Sequence, residues 1–506
     1  MLAAALISLW ITRDGSGWDG DSSNYLYTAR SYVESGVMLT PDHGGGLVPL
    51  RHWPPLYPFM LAALMRLTGD TATAACWLNA IIFPLNILIM AGLAYRLRFS
   101  LMTGVIVCLV FTLAPVILAA HVTAMSEALC LTFWLASLFF LLEYQRKETW
   151  GLLVAAAVAT AATVMCRYLG GVQVIVGIPF IAFYTLGSWR KKLTRAAVYM
   201  LFAVGPLLLW LGRSHSSEGT ALVDRKVGFY GVSMSQLNLE LAAWARWVAP
   251  IDGHSWMKTA CIVLIVFLGL VCAVRLYRNK GKAEVKTSFS FKNDAASILL
   301  LAGLIVNEFV ILFVALFADP TMDMSERMHI TSFVFILLLV GHWSSRWMLS
   351  ASTSNGFGKI CLQIWIVLVV GVYLVSGLVW IGSARDSHLD GNNSEWHKSE
   401  GIALLQRRYA TVPIYTNNFS LIYLYTGRID SRNLTSLLSD SHNASDPQAS
   451  QNFAEMIKNF TNDPRVIVYF KNYGTQSIPL GKLRQSPALT VIDETDDMVF
   501  LSANVK

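Results

Sequence analysis

Charge is scarce in this chain: Asp, Glu, Lys and Arg make up 14% of its 506 residues, against 55% hydrophobic ones. A soluble domain averages about 25% charged residues, so most of this chain has no water to face and an ordinary soluble enzyme is excluded. Cysteine is sparse and one-sided. Cys76, Cys108, Cys130, Cys166, Cys261, Cys272 and Cys361 all lie within or at the edge of apolar runs, and none follows Cys361. The polar C-terminal region therefore has no disulfide of its own. CxxC and Cys/His metal spacings are missing, and the cysteines read as small packing residues. Internal repeats and low-complexity tracts are also missing. A net charge of +7 would suggest nucleic acid as a partner in a soluble protein. Here Lys and Arg fall mainly in short links between apolar runs, so they set orientation in a membrane and no nucleic acid is implied.

What the chain does have is long apolar runs. A spanning helix needs about 20 mostly apolar residues, and about eleven candidates satisfy or approach that: 1–12, 72–95, 100–120, 124–142, 150–166, 168–187, 196–212, 257–277, 295–318, 328–345 and 360–382. The first is too short to span. It reads as a truncated first helix, since a cleaved signal peptide would carry a basic leader and a small-residue cleavage site. One set of links is short and basic: Arg96 and Arg98; Arg146 and Lys147; Arg190, Lys191, Lys192 and Arg195; Arg275, Arg278, Lys280, Lys282 and Lys286; Arg346 and Lys359. The positive-inside rule places this set in the cytoplasm. By parity the other set lies outside: 13–71, 121–125, 166–168, 213–256, 319–327 and everything after about 383. The expected fold is thus an all-α polytopic protein of the plasma (inner) membrane.

Two outer segments are long. Within 13–71, the stretches 22–35 and 56–68 have helical apolar spacing with polar faces and read as helices lying along the membrane surface. Residues 383–506 carry strand-like runs at 411–416, 465–470 and 498–501, alternating with helix-like stretches at 396–409 and 450–460. That alternation predicts a small extracytoplasmic α/β domain over 383–506, behind a membrane module over 1–382.

The richest segment is Asp19-Gly-Asp21-Ser-Ser-Asn-Tyr25-Leu-Tyr-Thr-Ala29-Arg30, followed by Gly36 and then His52-Trp-Pro54-Pro55-Leu-Tyr57-Pro58. Asp21 and Tyr25, four apart, share one helix face, with the acid at the positive end of the helix. A plain N-cap is the alternative reading of Asp21. The Pro-Pro pair suits the start of the next helix. Taken in order, these residues resemble the first outer loop of the GT-C glycosyltransferases. Within them the likeness is to the branch holding dolichyl-phosphate-mannose protein mannosyltransferases and lipid A aminoarabinose transferases. The resemblance extends over roughly residues 14–345.

That resemblance implies a donor sugar on a polyprenyl phosphate, an acceptor (lipid, glycan or protein) outside the cytoplasm, and no cofactor. It implies that Asp21 is the general base or orienting partner for the attacking group. Glu127, at the start of an apolar helix after the turn His121-Val-Thr-Ala-Met-Ser126, matches the second outer acid and is the second catalytic candidate, expected to address the acceptor with Asp21. An interfacial acid held by the helix dipole is its alternative. Arg167, in Cys166-Arg-Tyr168-Leu-Gly170, resembles a recurring Arg-Tyr turn of these transferases, and Arg327, in Ser325-Glu326-Arg327-Met-His329, resembles the basic residue that meets the lipid phosphate. Arginine's fork of donors suits a pair of phosphate oxygens, although either residue can instead snorkel to headgroups. Tyr25, His52 and Tyr57 join them as substrate-binding candidates.

Asp19 and Asp21 form a D-x-D, and two carboxylates in a loop are hard-cation ligands. The branch resembled does not depend on a metal, so a solvated loop acid is the preferred reading of Asp19. His121 has only its position in its favour. Arg225 and Lys226 read as a solvated pair. Glu308, with Asn307, falls near the middle of a span and must face a partner or cavity. Sequons stand at Asn392, Asn418, Asn433, Asn443 and Asn459 and matter only in a host that glycosylates exported domains. Two readings of other classes stand beside a transferase: a carrier or flippase for lipid-linked sugars, and a non-catalytic partner in envelope polysaccharide assembly.

Overall fold

A computed structural model describes residues 1–18, 20–41, 47–218, 228–250, 259, 262–263, 294–319, 322, 324–350, 356–386, 398–428, 431–434, 465–471 and 479–503. Asp19, Arg225, Lys226, nearly all of the expected span 257–277, the basic residues Arg275 to Lys286, the stretch 450–460 and the sequons at Asn392, Asn443 and Asn459 lie outside the described residues.

Helices dominate. In chain order they begin with α1 (Leu2–Ile11), α2 (Ser22–Ser35), α3 (Leu56–Thr68), α4 (Thr71–Arg96), α5 (Leu101–Leu113), α6 (Pro115–Ala120) and α7 (Glu127–Lys147). There follow α8 (Trp150–Cys166), α9 (Gly171–Tyr184), α10 (Trp189–Glu218), α11 (Met234–Val248), α12 (Ala295–Phe317), α13 (Ile330–Ser350) and α14 (Gly356–Asp386). Among the described residues five helices are long and apolar enough to cross a membrane: Thr71–Arg96, Glu127–Lys147, Trp189–Ser214, Ala295–Phe317 and Gln363–Arg385. Shorter apolar helices occupy most other expected spans. The run 100–120 is two helices, because Pro115 has no N–H to give and pushes Ala114 into an extended conformation (φ −64°, ψ 123°).

The two surface helices expected in the first loop are α2 and α3. Gly36 ends α2 in the left-handed conformation (φ 74°), a backbone state that costs other residues energy. Between them runs a short hairpin of β1 (Leu39–Pro41) and β2 (Leu47–Pro49) that hydrophobic pattern alone did not reveal.

Burial sorts the bundle. In α7, 72% of its most apolar window is buried, against 17% in α10, so α7 is the central post and α10 lies at the rim. Lipid tails are as apolar as leucine, so small residues and polar contacts do much of the work of joining helices. Ser137 of α7 and Thr160 of α8 meet at 2.6 Å, and Thr160 meets the Tyr199 hydroxyl of α10 at 2.8 Å. Trp134 packs edge-on against Phe335 of α13 at 4.4 Å.

Charges segregate to the two ends of the bundle. At the end reached by the C-termini of α4 and α7, Arg96 lies 2.9 Å and Lys147 3.1 Å from Glu143. There too Arg195 pairs with Glu148 at 3.0 Å. At the same end of the molecule, Arg346 bonds Asp294, and Ser345 of α13 receives the Ser100 N–H at 3.1 Å. Glu127, Arg167 and Arg327 occupy the opposite end.

The polar C-terminal region contains α15 (Glu400–Arg408), β3 (Ile414–Thr416), α16 (Phe419–Thr426), β4 (Arg432–Asn433), β5 (Val466–Phe470), α17 (Leu480–Gln485), β6 (Leu489–Glu494) and β7 (Met498–Ala503). The sheet order is β4-β3-β5-β7-β6. Strand β3 is parallel to β4 and β5, and β7 is antiparallel to β5 and β6. The three strand-like runs read from sequence are β3, β5 and β7. The alternation of β5 fills two cores: Val466, Val468 and Phe470 pack on the α15 and α16 side, Ile467 and Tyr469 on the α17 side. This region sits on α2, where Ser420 meets Ser23 at 3.0 Å and Tyr423 packs on Trp18 and Tyr27. It therefore lies at the end of the bundle that carries Asp21.

Candidate active site

Two backbone hydrogen bonds bring the first loop to the helix bundle. The Gly17 N–H donates to the Val122 carbonyl, and the Ala124 N–H donates to the Gly17 carbonyl, both at 2.8 Å. This parallel bridge places the loop carrying Asp21 directly over the turn that begins α7. The Asn79 amide of α4 anchors the same turn by donating to the Thr123 carbonyl at 2.8 Å. His121 belongs to this scaffold. Its ring stacks on Phe83 at 4.3 Å, and its two nitrogens meet Asn86 at 2.9 Å and the Ile117 carbonyl at 2.6 Å. Burial pulls its imidazole down to about 4, so it is a neutral packing group.

Asp21 is the N-cap residue of α2, yet its side chain makes no capping hydrogen bond. It accepts instead from Arg327 Nη2 at 3.3 Å. Arg327 Nε lies 3.0 Å from Glu127 Oε1, and Arg167 Nη1 lies 2.5 Å from the same oxygen. Glu127 is thus held between two arginines with its side chain only 4% exposed, whereas Asp21 is 32% exposed. That contrast decides access: the Asp21 carboxylate is open to solvent, while Glu127 is enclosed with the guanidinium groups. Glu127 Oε2 is buried without a hydrogen-bond partner among the described residues. A void of about 30 Å³ beside Glu127, Arg167 and Arg327 is about the size of one water.

Tyr25 stands beside this network. Its hydroxyl meets Ser126 Oγ at 3.3 Å, and Arg167 Nη1 donates to the same oxygen at 3.4 Å. Burial, and after it the Asp21 carboxylate, push the Tyr25 hydroxyl up, so it keeps its proton. Tyr57 packs edge-on behind Tyr25 at 5.1 Å and is fully buried. His52 packs on Trp53 at 4.5 Å. The structure therefore brings Asp21, Tyr25, Glu127, Arg167 and Arg327 together, sets Tyr57 behind Tyr25, and leaves His52 on the neighbouring loop.

Arg167 owes its position to a tight turn. The chain leaves α8 in an extended conformation at Arg167 (φ −150°, ψ 134°) and re-enters through a 3-10 turn, Tyr168–Gly170. A Cβ on Gly170 would lie 2.7 Å from the Thr163 carbonyl carbon and 2.8 Å from its oxygen, so glycine alone fits. Gly170→Ala is expected to cost about 1–3 kcal/mol of stability, as overpacking does, and to reduce activity by displacing Arg167. Thermal unfolding in detergent checks this, and an unchanged midpoint would refute the packing argument.

A cavity of about 450 Å³ opens beside the network. Glu127, Arg327, Arg246 and Glu326 make its polar end, and Pro115, Val116, Ala119 and Trp380 its apolar wall. Arg246, 2.5 Å from Glu326, was not picked out by sequence reading. It sits on the amphipathic helix α11, where nothing but proximity in space distinguishes it from an ordinary surface charge.

Apolar helices in this order, with two short helices in the first loop and charged groups at one end, have counterparts among solved structures. The chain is similar to ArnT from Cupriavidus metallidurans bound to undecaprenyl phosphate, with TM-score 0.56 and 13% identity over 99% of this chain and 96% of that one. It is similar to the arabinofuranosyltransferase AftD from Mycobacteria, with TM-score 0.54 and 12% identity over 100% of this chain and 41% of that one. It also matches the archaeal oligosaccharyltransferase AglB from Archaeoglobus fulgidus, in complex with an inhibitory peptide and a dolichol-phosphate. There the TM-score is 0.50 and the identity 12%, over 92% of this chain and 68% of that one. The fold is that of the GT-C membrane glycosyltransferases. More particularly, residues 52–211 match the family model for dolichyl-phosphate-mannose-protein mannosyltransferase. No curated protein matches the chain by sequence.

Proposed function

We propose that this protein transfers a sugar from a polyprenyl-phosphate donor to an acceptor on the extracytoplasmic side of the plasma (inner) membrane. The observation that carries the reading is the network in which Arg327 joins an accessible Asp21 to a buried Glu127 that also holds Arg167, at the polar end of a half-apolar cavity. Such a cavity suits a phosphate-headed lipid. Undecaprenyl phosphate bound to ArnT and dolichol-phosphate bound to AglB support the same donor class here.

In this mechanism the acceptor's nucleophile attacks the anomeric carbon while Asp21 takes its proton. The bond from that carbon to the phosphate oxygen breaks, and the lipid phosphate leaves with an added negative charge. Arg167 and Arg327 stabilise that charge without proton transfer. Glu127 is a positioning residue that holds both guanidinium groups, and Tyr25 and Tyr57 shape the wall beside Asp21. In the same reading about eleven spans cross the bilayer, with the module 1–382 in the membrane and 383–506 outside it.

The test is incubation of the purified protein, in lipid nanodiscs, with a labelled polyprenyl-phosphate sugar and cell-envelope acceptors. Transfer of label with release of free polyprenyl phosphate is expected. Movement of intact lipid-linked sugar across vesicles without transfer would replace this reading with a carrier. Neither outcome in the presence of a full acceptor extract would leave a non-catalytic partner.

A further inference from the structure

Three ionisable side chains from different elements converge beside the turn that carries Arg327. Glu240 comes from α11, Glu308 from α12, and His329 from the turn that precedes α13. His329 Nδ1 lies 3.0 Å from Glu308 Oε2, and His329 Nε2 lies 3.7 Å from Glu240 Oε2. One ligand-type atom from each residue lies within 4.8 Å of the other two. The imidazole is completely buried, and its Nε2 has no hydrogen-bond partner among the described residues. Glu240 Oε2 likewise has none, whereas the Glu308 carboxylate meets His329 Nδ1 at 3.0 and 3.2 Å. Two buried polar atoms left unsatisfied at one point are costly. Two carboxylates facing each other add repulsion unless a positive charge lies between them.

We propose that Glu240, Glu308 and His329 form a binding site for a first-row divalent cation, of which Zn²⁺ is the type. One imidazole nitrogen and one oxygen from each carboxylate is a mixed donor set that such ions accept. Tetrahedral zinc with bonds of about 2.0–2.2 Å sets its ligands about 3.3 Å apart, so small side-chain rotations close the site. The carboxylates are 21% and 18% exposed, which leaves an opening for the ion and for a water as fourth ligand. Trp247 meets the imidazole edge-on at 6.1 Å and supplies an apolar wall.

The ion would tie the surface helix α11 to two membrane helices and brace the turn 325–329, two residues from Arg327. It is a positioning metal that acts through Arg327 and touches no reacting atom. This site is independent of the Asp21 reading and stands if that fails.

The test uses tag-free full-length protein in nanodiscs, stripped with EDTA and then titrated with ZnCl₂. Elemental analysis is expected to find about one tightly held Zn²⁺ per chain, lost in Glu308→Gln and Glu240→Gln. Unfolding temperature should fall on stripping and recover with Zn²⁺ but not Mg²⁺. Co²⁺ in place of Zn²⁺ should give the visible absorption of a tetrahedral nitrogen–oxygen site. Equal zinc content in wild type and both variants would overturn the assignment, as would an unfolding temperature indifferent to EDTA and Zn²⁺. Should Glu308→Gln not fold, Glu240→Gln on the surface helix and the wild-type Co²⁺ spectrum decide the matter.

Discussion

Replacing Asp21 with Asn is expected to lower sugar transfer by about 10²–10⁴-fold, the usual worth of a positioned general base, while the protein stays folded. Asn keeps the shape of the side chain and can still accept the 3.3 Å hydrogen bond from Arg327. What it lacks is a basic oxygen that can take a proton as the nucleophile forms. Stability should hardly change. The Asp21–Arg327 pair is 32% and 27% exposed, and exposed ion pairs contribute about 0–1 kcal/mol. Asp21 also makes no capping bond whose loss would fray α2. The decisive measurement is turnover at saturating donor, alongside a thermal unfolding curve in the same detergent. Wild-type turnover in Asp21→Asn would remove Asp21 from the chemistry and return it to the role of an N-terminal helix residue.

Glu127→Gln should behave differently, losing stability and activity together. Its carboxylate is shared by two guanidinium groups at 2.5 and 3.0 Å and is 4% exposed. Removing one partner of a buried ion pair leaves uncompensated charge and costs about 3–5 kcal/mol. Here two arginines lose their common anion. A much lower unfolding temperature is expected, with weak transfer in the fraction that folds. A second substitution separates the causes. Glu127→Gln combined with Arg327→Gln removes one stranded charge, so part of the lost stability should return while transfer stays low. Additive losses in this cycle would mean that Glu127 and Arg327 are not coupled, against the geometry seen here.

Much of this could be read before any coordinates. The Asp21–Tyr25 spacing, the Pro54–Pro55 start and the Arg167-Tyr-x-Gly170 turn pointed to α2, α3 and the α8–α9 corner. Glu308 in a span predicted a partner, and it has one in His329 at 3.0 Å. Other features carried no linear signal. Strand β6 (Leu489–Glu494) is mostly exposed and lacks an apolar run. The break at Pro115 was hidden inside a run whose average hydropathy suffices for one span. Arg246 and Glu240 look like ordinary polar-face residues of an amphipathic helix until α11 is laid against the bundle.

By itself the sequence marked a multi-pass membrane chain and set the links at Arg96, Arg146 and Lys147 apart from Asp21, Glu127, Arg167 and Arg327. Runs of about 20 apolar residues have no other stable place in water, and the Lys and Arg bias orients them. Only the tertiary structure decided who meets whom at that end. Asp21 and Arg327 are 306 residues apart, and hydropathy records how deep a residue lies but not which helix is beside it. That choice is made by packing around α7, by the bridge from Gly17 to the turn ahead of Glu127, and by the missing Cβ of Gly170. Those contacts turn two acids and two arginines at one end of a bundle into a single charged network.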